Sequence, residues 1–263
     1  MRVGVVGAGG KMGREVCGMV AADPELELVA AVDPECVGQE AGGLAIVGDL
    51  GALADAGSEV VVDFTRVAAA RSTLAWCAEH GLHAVVGTTG FDERDMADLR
   101  RLFAGPEQGA PNCVVAANFA IGAVLMMRFA EIAAPWFDGA EIVELHHEGK
   151  LDAPSGTSIQ TAERMAAARV AAGMDPYPGD ATTTVMVEGA RGGAGPGGVR
   201  MHSVRLTGLV AHQEVLFGSP GQGLSIRHDS YQRTSFMAGV ALAVKAVAAR
   251  PGLTLGLEPL LGF

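Results

Sequence analysis

The sequence predicts an α/β fold with two parts: a doubly wound parallel sheet, and a smaller α+β domain with a mixed or antiparallel sheet. Short apolar runs alternate with helical patterns up to about residue 116, which is the order of a parallel sheet covered by helices. A glycine-rich turn joins the first run to the first helix, as in Rossmann-type folds. After residue 119 the pattern changes to longer segments with alternating side chains, and this change marks the second part.

Composition narrows the classes of function. The chain has 263 residues, 49% of them hydrophobic, and a formal net charge of −11. The acidic balance argues against a nucleic-acid partner, and no run is long and charge-free enough to predict a membrane span. The opening residues reach glycines too early for a signal peptide, so we expect a cytoplasmic protein.

No C-x-x-C pair occurs, so neither disulfides nor a metal site is expected at Cys17, Cys36, Cys77 and Cys113.

The first strand, Arg2 to Val6, runs into the glycine-rich turn and then a helix near Arg14 to Ala22. This context suits a dinucleotide pyrophosphate. The match to G-x-G-x-x-G is imperfect because Met12 replaces the third glycine, and an ordinary connection is the alternative. The glycines permit the tight turn, the approach of a pyrophosphate and the packing of helix on strand. The predicted cofactor contacts in the turn are Gly7, Ala8, Gly9, Gly10, Lys11, Met12 and Gly13.

The second strand, Leu26 to Val32, ends at Asp33, twenty residues after Gly13. An acidic residue at this place accepts hydrogen bonds from the adenosine ribose of a dinucleotide. Capping a turn or helix is the alternative role, but the position of Asp33 favours the cofactor. A glycine-bearing loop at 37–48 and a helix around 50–56 follow.

Three further apolar strands, at 60–63, 83–86 and 113–116, alternate with helices at 67–80 and 92–102. Loops at the carboxyl ends of parallel strands hold the ligands of doubly wound sheets. We therefore predict that these loops line the nicotinamide half of the cofactor site. The residues concerned are Arg66, Gly87, Thr88, Thr89, Ala116, Ala117, Asn118 and Phe119.

The second part begins with an apolar helix at 121–134 and a strand from Ala140. Alternating segments predict further strands, and a glycine-rich segment predicts a flexible loop at 188–198. The predicted strands span 182–188, 199–206 and 208–217, the last apolar enough to be buried between subunits. His202 and His212 lie in these strands and are interpreted as structural. An amphipathic helix at 234–249 ends before Pro251.

Residues 140–157, AEIVELHHEGKLDAPSGT, gather ionisable side chains between a strand and a helix. Alternation places Glu144 and His146 on one face of the strand, and Ser155 is predicted to cap the helix. His146 is easily protonated near neutral pH, Lys150 is a second proton donor, and a helix start can hold an anion. The stretch predicts a site for a small anionic substrate beside a proton donor. The alternative is an ordinary strand-to-helix turn.

Segments along nearly the whole chain resemble one family in the same order. ELHHEGKLDAPSGT is similar to the signature of the 4-hydroxy-tetrahydrodipicolinate reductases, bacterial lysine-pathway enzymes also called dihydrodipicolinate reductases. Other similar segments are VGVVGAGGKMG, VVDFT, VVGTTGF, AANFAIGAVL, GLVAHQEVLFG, IRHDSYQRTSF and GLEPLL. The resemblance implies NAD(P)H-dependent reduction of 4-hydroxy-tetrahydrodipicolinate, a small dicarboxylate, to tetrahydrodipicolinate in lysine and diaminopimelate biosynthesis.

The resemblance also implies roles and boundaries. His146 and Lys150 would supply the proton that accompanies the hydride. Substrate contacts are implied for His147, Ser155, Gly156 and Thr157. The cofactor domain would comprise residues 1–117 completed by 228–263, with the substrate and oligomerisation domain at 118–227. The family further implies a homotetramer.

Two other functions stay open: a related two-domain dehydrogenase acting on another amino-acid-derived substrate, and a non-catalytic nucleotide sensor. The segment KLDAPSGT argues against the first, and the presence of both His146 and Lys150 argues against the second. A metal-dependent hydrolase built on His146 and His147 is weaker, because no further ligands stand nearby in the sequence.

Some residues predicted near the adenosine ribose favour NADH and others favour NADPH. Asp33 repels a 2′-phosphate, and Pro34 stands where some relatives carry an arginine; Lys11 and Arg66 are cations that could pair with that phosphate. One partly solvated ion pair contributes only about 0–1 kcal/mol, which is less than the combined effect of repulsion by Asp33 and the absence of that arginine. We therefore predict that both NADH and NADPH serve, but not equally well. NADH is expected to be preferred by about 3–30-fold in kcat/KM.

Overall fold

The computed structural model describes all 263 residues, which divide into two compact units. The first unit comprises Met1–Ile121 and Arg233–Phe263, and the second comprises Gly122–Gln232. The boundaries expected from the sequence, after residues 117 and 227, lie a few residues before these. None of the helices has the length and apolar character that crossing a membrane requires.

The first unit is built on six strands: β1 (Arg2–Val6), β2 (Glu27–Val32), β5 (Val60–Asp63), β6 (His83–Val86), β7 (Cys113–Val115) and β13 (Leu253–Leu255). They form one sheet in the order β13-β7-β6-β5-β1-β2, with every pair parallel. Its helices are α1 (Lys11–Ala22), α2 (Gly51–Asp55), α3 (Val67–Glu79), α4 (Glu93–Leu102), α7 (Met237–Val247) and α8 (Glu258–Leu261). Residues 3–6 of β1 are buried on both faces, as helices on both sides of a parallel sheet require. The predicted doubly wound sheet is confirmed.

Two details of the first unit differ from expectation. The glycine-bearing loop at 37–48 contains a small hairpin of β3 (Glu40–Ala41) and β4 (Leu44–Ala45). The segment after residue 249 supplies β13, which the sequence reading missed. This strand has only three residues, which is too short to show the alternation of apolar and polar side chains that identifies a strand.

The second unit is a five-stranded sheet with two helices, α5 (Ile121–Ala133), whose first residue belongs to the first unit, and α6 (Gly156–Ala171). Its strands are β8 (Gly139–His146), β9 (Gly193–Ala194), β10 (Arg200–Arg205), β11 (Ala211–Ser219) and β12 (Gln222–Ser230). The order is β12-β11-β8-β10-β9. β8 lies at the centre, parallel to β10 and antiparallel to β11, which confirms a mixed sheet.

The predicted strand at 182–188 is wrong. These residues lie in an irregular, fully exposed segment that pairs with no other strand. Alternation and β-propensity alone are not enough, because a strand is stabilised by its partner and by burial of one face. The expected flexible loop at 188–198 instead contains β9 and a short 3₁₀ turn. The strand expected from residue 208 begins at Ala211, and β12 was not predicted.

Candidate active site

The glycine-rich turn is held in place by backbone hydrogen bonds. Gly7 has a left-handed φ of 77°, and the N–H groups of Gly7 and Ala8 both donate to Val32 O, at 2.8 and 3.2 Å. Gly10 N donates to Gly7 O at 3.0 Å, and Gly10 precedes α1 without a side-chain cap. Helix α1 begins at Lys11, three residues earlier than expected, so Lys11 is its first residue and not part of the turn.

The start of α1 is therefore open to an anion. The N–H groups of Lys11, Met12 and Gly13 have no acceptor within the chain. A Cβ on Gly13 would lie 2.0 Å from Gly7 O, so only glycine allows this helix to approach the turn. A Cβ on Gly9 would lie 2.3 Å from Cys36 Sγ, so this glycine also serves packing.

Asp33 closes the turn from the end of β2. Its Oδ2 accepts the N–H of Gly9 at 3.0 Å, and its Oδ1 accepts the N–H of Glu35 at 3.0 Å. The turn, Asp33, Pro34 and Glu35 line a cavity of about 430 Å³ together with Thr65 and Arg66. Sequence reasoning missed Glu35. The available signal was a second acid two residues after Asp33, in the loop where a ribose binds.

The loops after β5 and β6 are tied together by Asp63, a residue that sequence reasoning also missed. Its carboxylate is 1% exposed, and Oδ1 accepts the Thr65 N–H at 2.8 Å and the Thr65 hydroxyl at 2.7 Å. The Thr88 hydroxyl reaches the same oxygen at 3.3 Å. Burial raises the pKa of Asp63, although these hydrogen bonds oppose the shift. The predicted nicotinamide loops thus share one buried anchor.

An aromatic pair packs beside these loops. The Phe64 ring leaves no room for a side chain at Gly87, whose Cβ would lie 2.0 Å from it, and it lies 5.4 Å from the ring of Phe119. The Phe119 and Ala116 side chains are buried, as is that of Ala8, so these predicted cofactor residues can contribute only backbone atoms.

In the second unit, β8 ends at His146, directly beside a buried ion pair. His146 Nδ1 lies 2.5 Å from Glu144 Oε2, and the Glu144 side chain is 0% exposed. The Arg205 guanidinium donates to both Glu144 oxygens, at 2.8 and 2.9 Å. Strand alternation predicted that Glu144 and His146 share a face. The third member, Arg205, was missed because it lies on β10, which pairs with β8 across 61 residues of sequence.

The ion pair sets the charge states at the end of β8. Burial alone would raise the pKa of Glu144, but hydrogen bonds from Arg205, Ser203 and His146 outweigh it and hold that pKa below its usual range. The pKa of His146 is lowered, first by burial and then by the positive charges of Lys150 and Arg205, while Glu144 opposes the shift. Burial and the two cations therefore shift His146 towards its neutral form.

The loop between β8 and α6 is fastened to the same arginine. Arg205 Nη2 donates to Asp152 O at 2.6 Å, and Lys150 Nζ donates to Asp152 Oδ1 at 2.8 Å. Lys150 N also donates to His147 O at 3.1 Å. The His147 side chain is exposed, and Leu151 is 100% exposed. The structure thus places Lys150 in a loop anchored beside His146.

Helix α6 begins where the sequence predicted, with Ser155 as its N-cap. Ser155 Oγ accepts the Ser158 N–H at 3.2 Å and is buried, so its hydroxyl is engaged within the chain. The N–H groups of Gly156 and Thr157 have no acceptor within the chain. No protein atom lies within 4 Å of a Cβ built on Gly156. The binding capacity of this helix start therefore resides in its backbone.

Two other histidines of the sheet, His202 and His212, contact carboxylates. His202 Nε2 lies 2.7 Å from Glu141 Oε2, and His212 Nδ1 lies 2.7 Å from Asp229 Oδ1. No group of three or more His, Cys, Asp or Glu side chains is arranged to hold a metal ion. All four cysteines are free.

Comparisons with known proteins agree over the whole chain. The model described as dihydrodipicolinate reductase, N-terminus, matches residues 1–119, and the C-terminus model matches residues 122–261. The 4-hydroxy-tetrahydrodipicolinate reductase of Nocardia farcinica is 52% identical over 99% of this chain and 98% of its own length. That of Thermobifida fusca is 51% identical over 100% of both chains.

Solved structures give the same result. A dipicolinate-bound dihydrodipicolinate reductase from Paenisporosarcina sp. TG-14 superposes with a TM-score of 0.86 at 38% identity, covering 98% of each chain. An amine dehydrogenase from Mycobacterium smegmatis has a TM-score of 0.60 at 18% identity, covering 97% of this chain and 94% of its own. The second likeness concerns the fold alone.

Proposed function

This chain belongs to the dihydrodipicolinate reductase family, and we propose that it reduces 4-hydroxy-tetrahydrodipicolinate to tetrahydrodipicolinate with NAD(P)H, in lysine and diaminopimelate biosynthesis. One observation carries the proposal. The stretch from Glu144 to Thr157 joins a titratable His146, seated on a buried ion pair, to Lys150 and to a helix start with two free N–H groups. A small dicarboxylate that must receive a proton needs these parts.

The first unit fits a nicotinamide dinucleotide. A Cβ on Gly13 would fill the approach to the turn, and the first N–H groups of α1 face no acceptor within the chain. These N–H groups would hold the pyrophosphate, and Asp33 would accept from the ribose. The loops at 65–66, 87–89 and 116–119 would hold the nicotinamide ring. The bound cofactor supplies the hydride.

The second unit would bind the substrate and protonate it. The N–H groups of Gly156 and Thr157 would hold one carboxylate at the positive end of α6. His147 and Lys150 would add positive or donor groups for the dianion. Because Nδ1 of His146 faces Glu144, its Nε2 is the atom available to transfer the proton that accompanies the hydride.

The choice of cofactor follows from the cavity beside Asp33. Asp33 and Glu35 both line it, so a 2′-phosphate would meet two carboxylates, whereas a free ribose hydroxyl would donate to them. Lys11 and Arg66 are exposed and form no ion pair within the chain, so each could compensate in part. Both cofactors would serve, with NADH preferred by about 3–30-fold in kcat/KM.

A homotetramer in the cytoplasm completes the proposal. Its support is the family resemblance and the apolar side chains that the sheet of the second unit leaves exposed. Leu216 on β11 and Leu224 on β12 are 37% and 38% exposed.

The test is oxidation of NADH and NADPH, followed by the loss of nicotinamide absorbance, with freshly generated 4-hydroxy-tetrahydrodipicolinate. Turnover with this substrate, and none with aspartate semialdehyde or homoserine, is the expected result. Turnover only with one of the latter would identify a related dehydrogenase. Tight binding of NADH without turnover of any of them would identify a nucleotide sensor.

A further inference from the structure

We propose that Arg205 and the buried carboxylate of Glu144 act as a positioning pair, which fixes the orientation of His146 and couples it to the loop at residues 147–155, where the substrate is proposed to bind. The inference rests on the proposed role of His146 as proton donor. It assigns to Arg205 two tasks, one for the imidazole and one for the loop, and each has its own observable.

Burial of the Glu144 carboxylate carries a large desolvation free energy. Glu144 is 0% exposed in a sheet, and a buried ion pair is weak evidence for stability, because desolvation of both charges offsets their attraction. A neighbouring cluster with the same residue types shows the contrast. Glu141 contacts His202 at 2.7 Å and Arg191 at 2.5 Å, but the Glu141 and Arg191 side chains are 33% and 36% exposed. Of the two glutamates only Glu144 is completely buried, and its partner Arg205 is 19% exposed, against 36% for Arg191.

The first task is orientation. Arg205 donates to both oxygens of Glu144 and keeps the carboxylate ionised, so the contact of 2.5 Å to His146 has the Nδ1–H of the imidazole as its donor. This bond fixes the ring and its tautomer and leaves Nε2 for the substrate. A carboxylate without Arg205 would hold the imidazolium more strongly and make it a weaker acid. The guanidinium balances that charge.

The second task is coupling. The same Nη2 that binds Glu144 Oε1 donates to Asp152 O at 2.6 Å, and the Asp152 side chain accepts from Lys150. One guanidinium therefore sets the position of the imidazole and of the loop that carries Lys150 towards the start of α6. The charged groups that face His146 are Glu144 on its own strand, Arg205 on β10 and Lys150 in the loop, with Asp152 behind the last two.

The test compares Arg205→Met and Arg205→Lys with Arg191→Met. Arg191 is a matched control because it pairs with Glu141 in the neighbouring, partly exposed cluster. Two quantities are measured: the pH at which His146 titrates, from the NMR signals of its ring and from the alkaline limb of kcat, and the KM for the substrate. Ring titration needs no turnover, so it separates this inference from the proposed function, which wild-type turnover tests.

In Arg205→Met, the Glu144–His146 pair should release its proton about one pH unit higher or more, the usual effect of removing an adjacent positive charge. KM should rise about tenfold, the effect of losing one charge-assisted hydrogen bond to the loop. Arg205→Lys keeps the charge, so its titration should stay near that of the wild type while KM still rises. Arg191→Met should change neither.

The inference is overturned if Arg205→Met matches Arg191→Met in both titration and KM. If Arg205→Met does not fold, Arg205→Lys decides alone. A raised KM with near wild-type titration of His146 supports the coupling, whereas an unchanged KM rejects it.

Discussion

The two stretches proposed to bind ligands, at 7–13 and 144–157, differ in why glycine stands at the helix start. At the start of α1, a Cβ on Gly13 would lie 2.0 Å from Gly7 O, a backbone atom that cannot move aside cheaply. At the start of α6, a Cβ on Gly156 would meet no protein atom within 4 Å. The fold itself requires Gly13. No contact within the chain requires Gly156, so we expect a side chain there to interfere only with the carboxylate proposed to bind at this helix start.

The two stretches also differ in where their chemistry lies. The stretch at 7–13, which comprises the glycine turn and the start of α1, offers backbone N–H groups and one exposed cation, Lys11, and its geometry depends on backbone bonds to Val32 and Gly7. The stretch at 144–157 offers ionisable side chains whose states depend on a buried ion pair. In the proposed function, the first stretch binds the cofactor and the second transfers a proton.

The strongest test of this division removes the proton donors. His146→Gln and Lys150→Ala should each lower kcat by about 10²–10⁴-fold, the usual contribution of general acid catalysis. The Kd for NADH, measured by fluorescence titration, should stay within about twofold, because neither residue belongs to the unit with the glycine turn. Full activity in either variant would remove that residue from the proposed mechanism.

A matched pair of glycine variants tests the comparison directly. Gly13→Ala should destabilise the protein by about 1–3 kcal/mol through overpacking and weaken NADH binding. Gly156→Ala should leave stability unchanged or raise it by up to ~1 kcal/mol, because alanine favours a helix over glycine, yet increase KM for the substrate severalfold. Thermal unfolding and steady-state kinetics on both variants measure the four quantities. A destabilised Gly156→Ala would show that the fold requires this glycine too.

Cofactor choice sharpens the description of the first stretch. The wild type should prefer NADH by about 3–30-fold in kcat/KM, which corresponds to about 0.7–2 kcal/mol. Lys11→Ala should widen the gap by affecting NADPH selectively, since Lys11 is one of the two cations proposed to pair with the 2′-phosphate, which NADH lacks. Parallel kinetics with both cofactors at physiological salt provide the measurement. A clear preference of the wild type for NADPH would contradict the weight given to Asp33 and Pro34.

The smallest effect is expected at Gly149. The loop has an acid, Glu148, followed by Gly149, so neither position offers a positive charge to a dianion. A Cβ on Gly149 would lie 3.3 Å from His147 Nδ1, close enough for a side chain there to share the exposed face of the loop. Gly149→His should therefore lower the KM for the dianion a few-fold. With Gly149→Ala as control, an equal KM in both variants would mean that the position only spaces the loop.

How far the sequence predicts this molecule depends on the range of each interaction. Ser155 was recognised as a cap because its partner, Ser158 N–H, lies in the next turn of the chain. The parallel sheet was recognised because each buried strand is a continuous apolar run. The link from Glu144 to Arg205 depends on the pairing of β8 with β10, which no local pattern encodes. The strand prediction at 182–188 failed for the opposite reason. Its local pattern is that of a strand, but no other strand lies beside it.

The return of the chain to the first unit has a consequence for its biosynthesis. Strand β13 completes the sheet by pairing with β7, and the buried Asn112 side chain bonds Val247 O, Ala248 O and Gly252 N. A ribosome delivers residues 122–232 before residues 247–255, so the second unit has all its strands while the sheet of the first unit still has an open edge at β7. Unpaired edges are templates for aggregation. A nascent chain that stalls before residue 253 therefore carries every strand of the second unit joined to a sheet whose β7 edge is still unpaired.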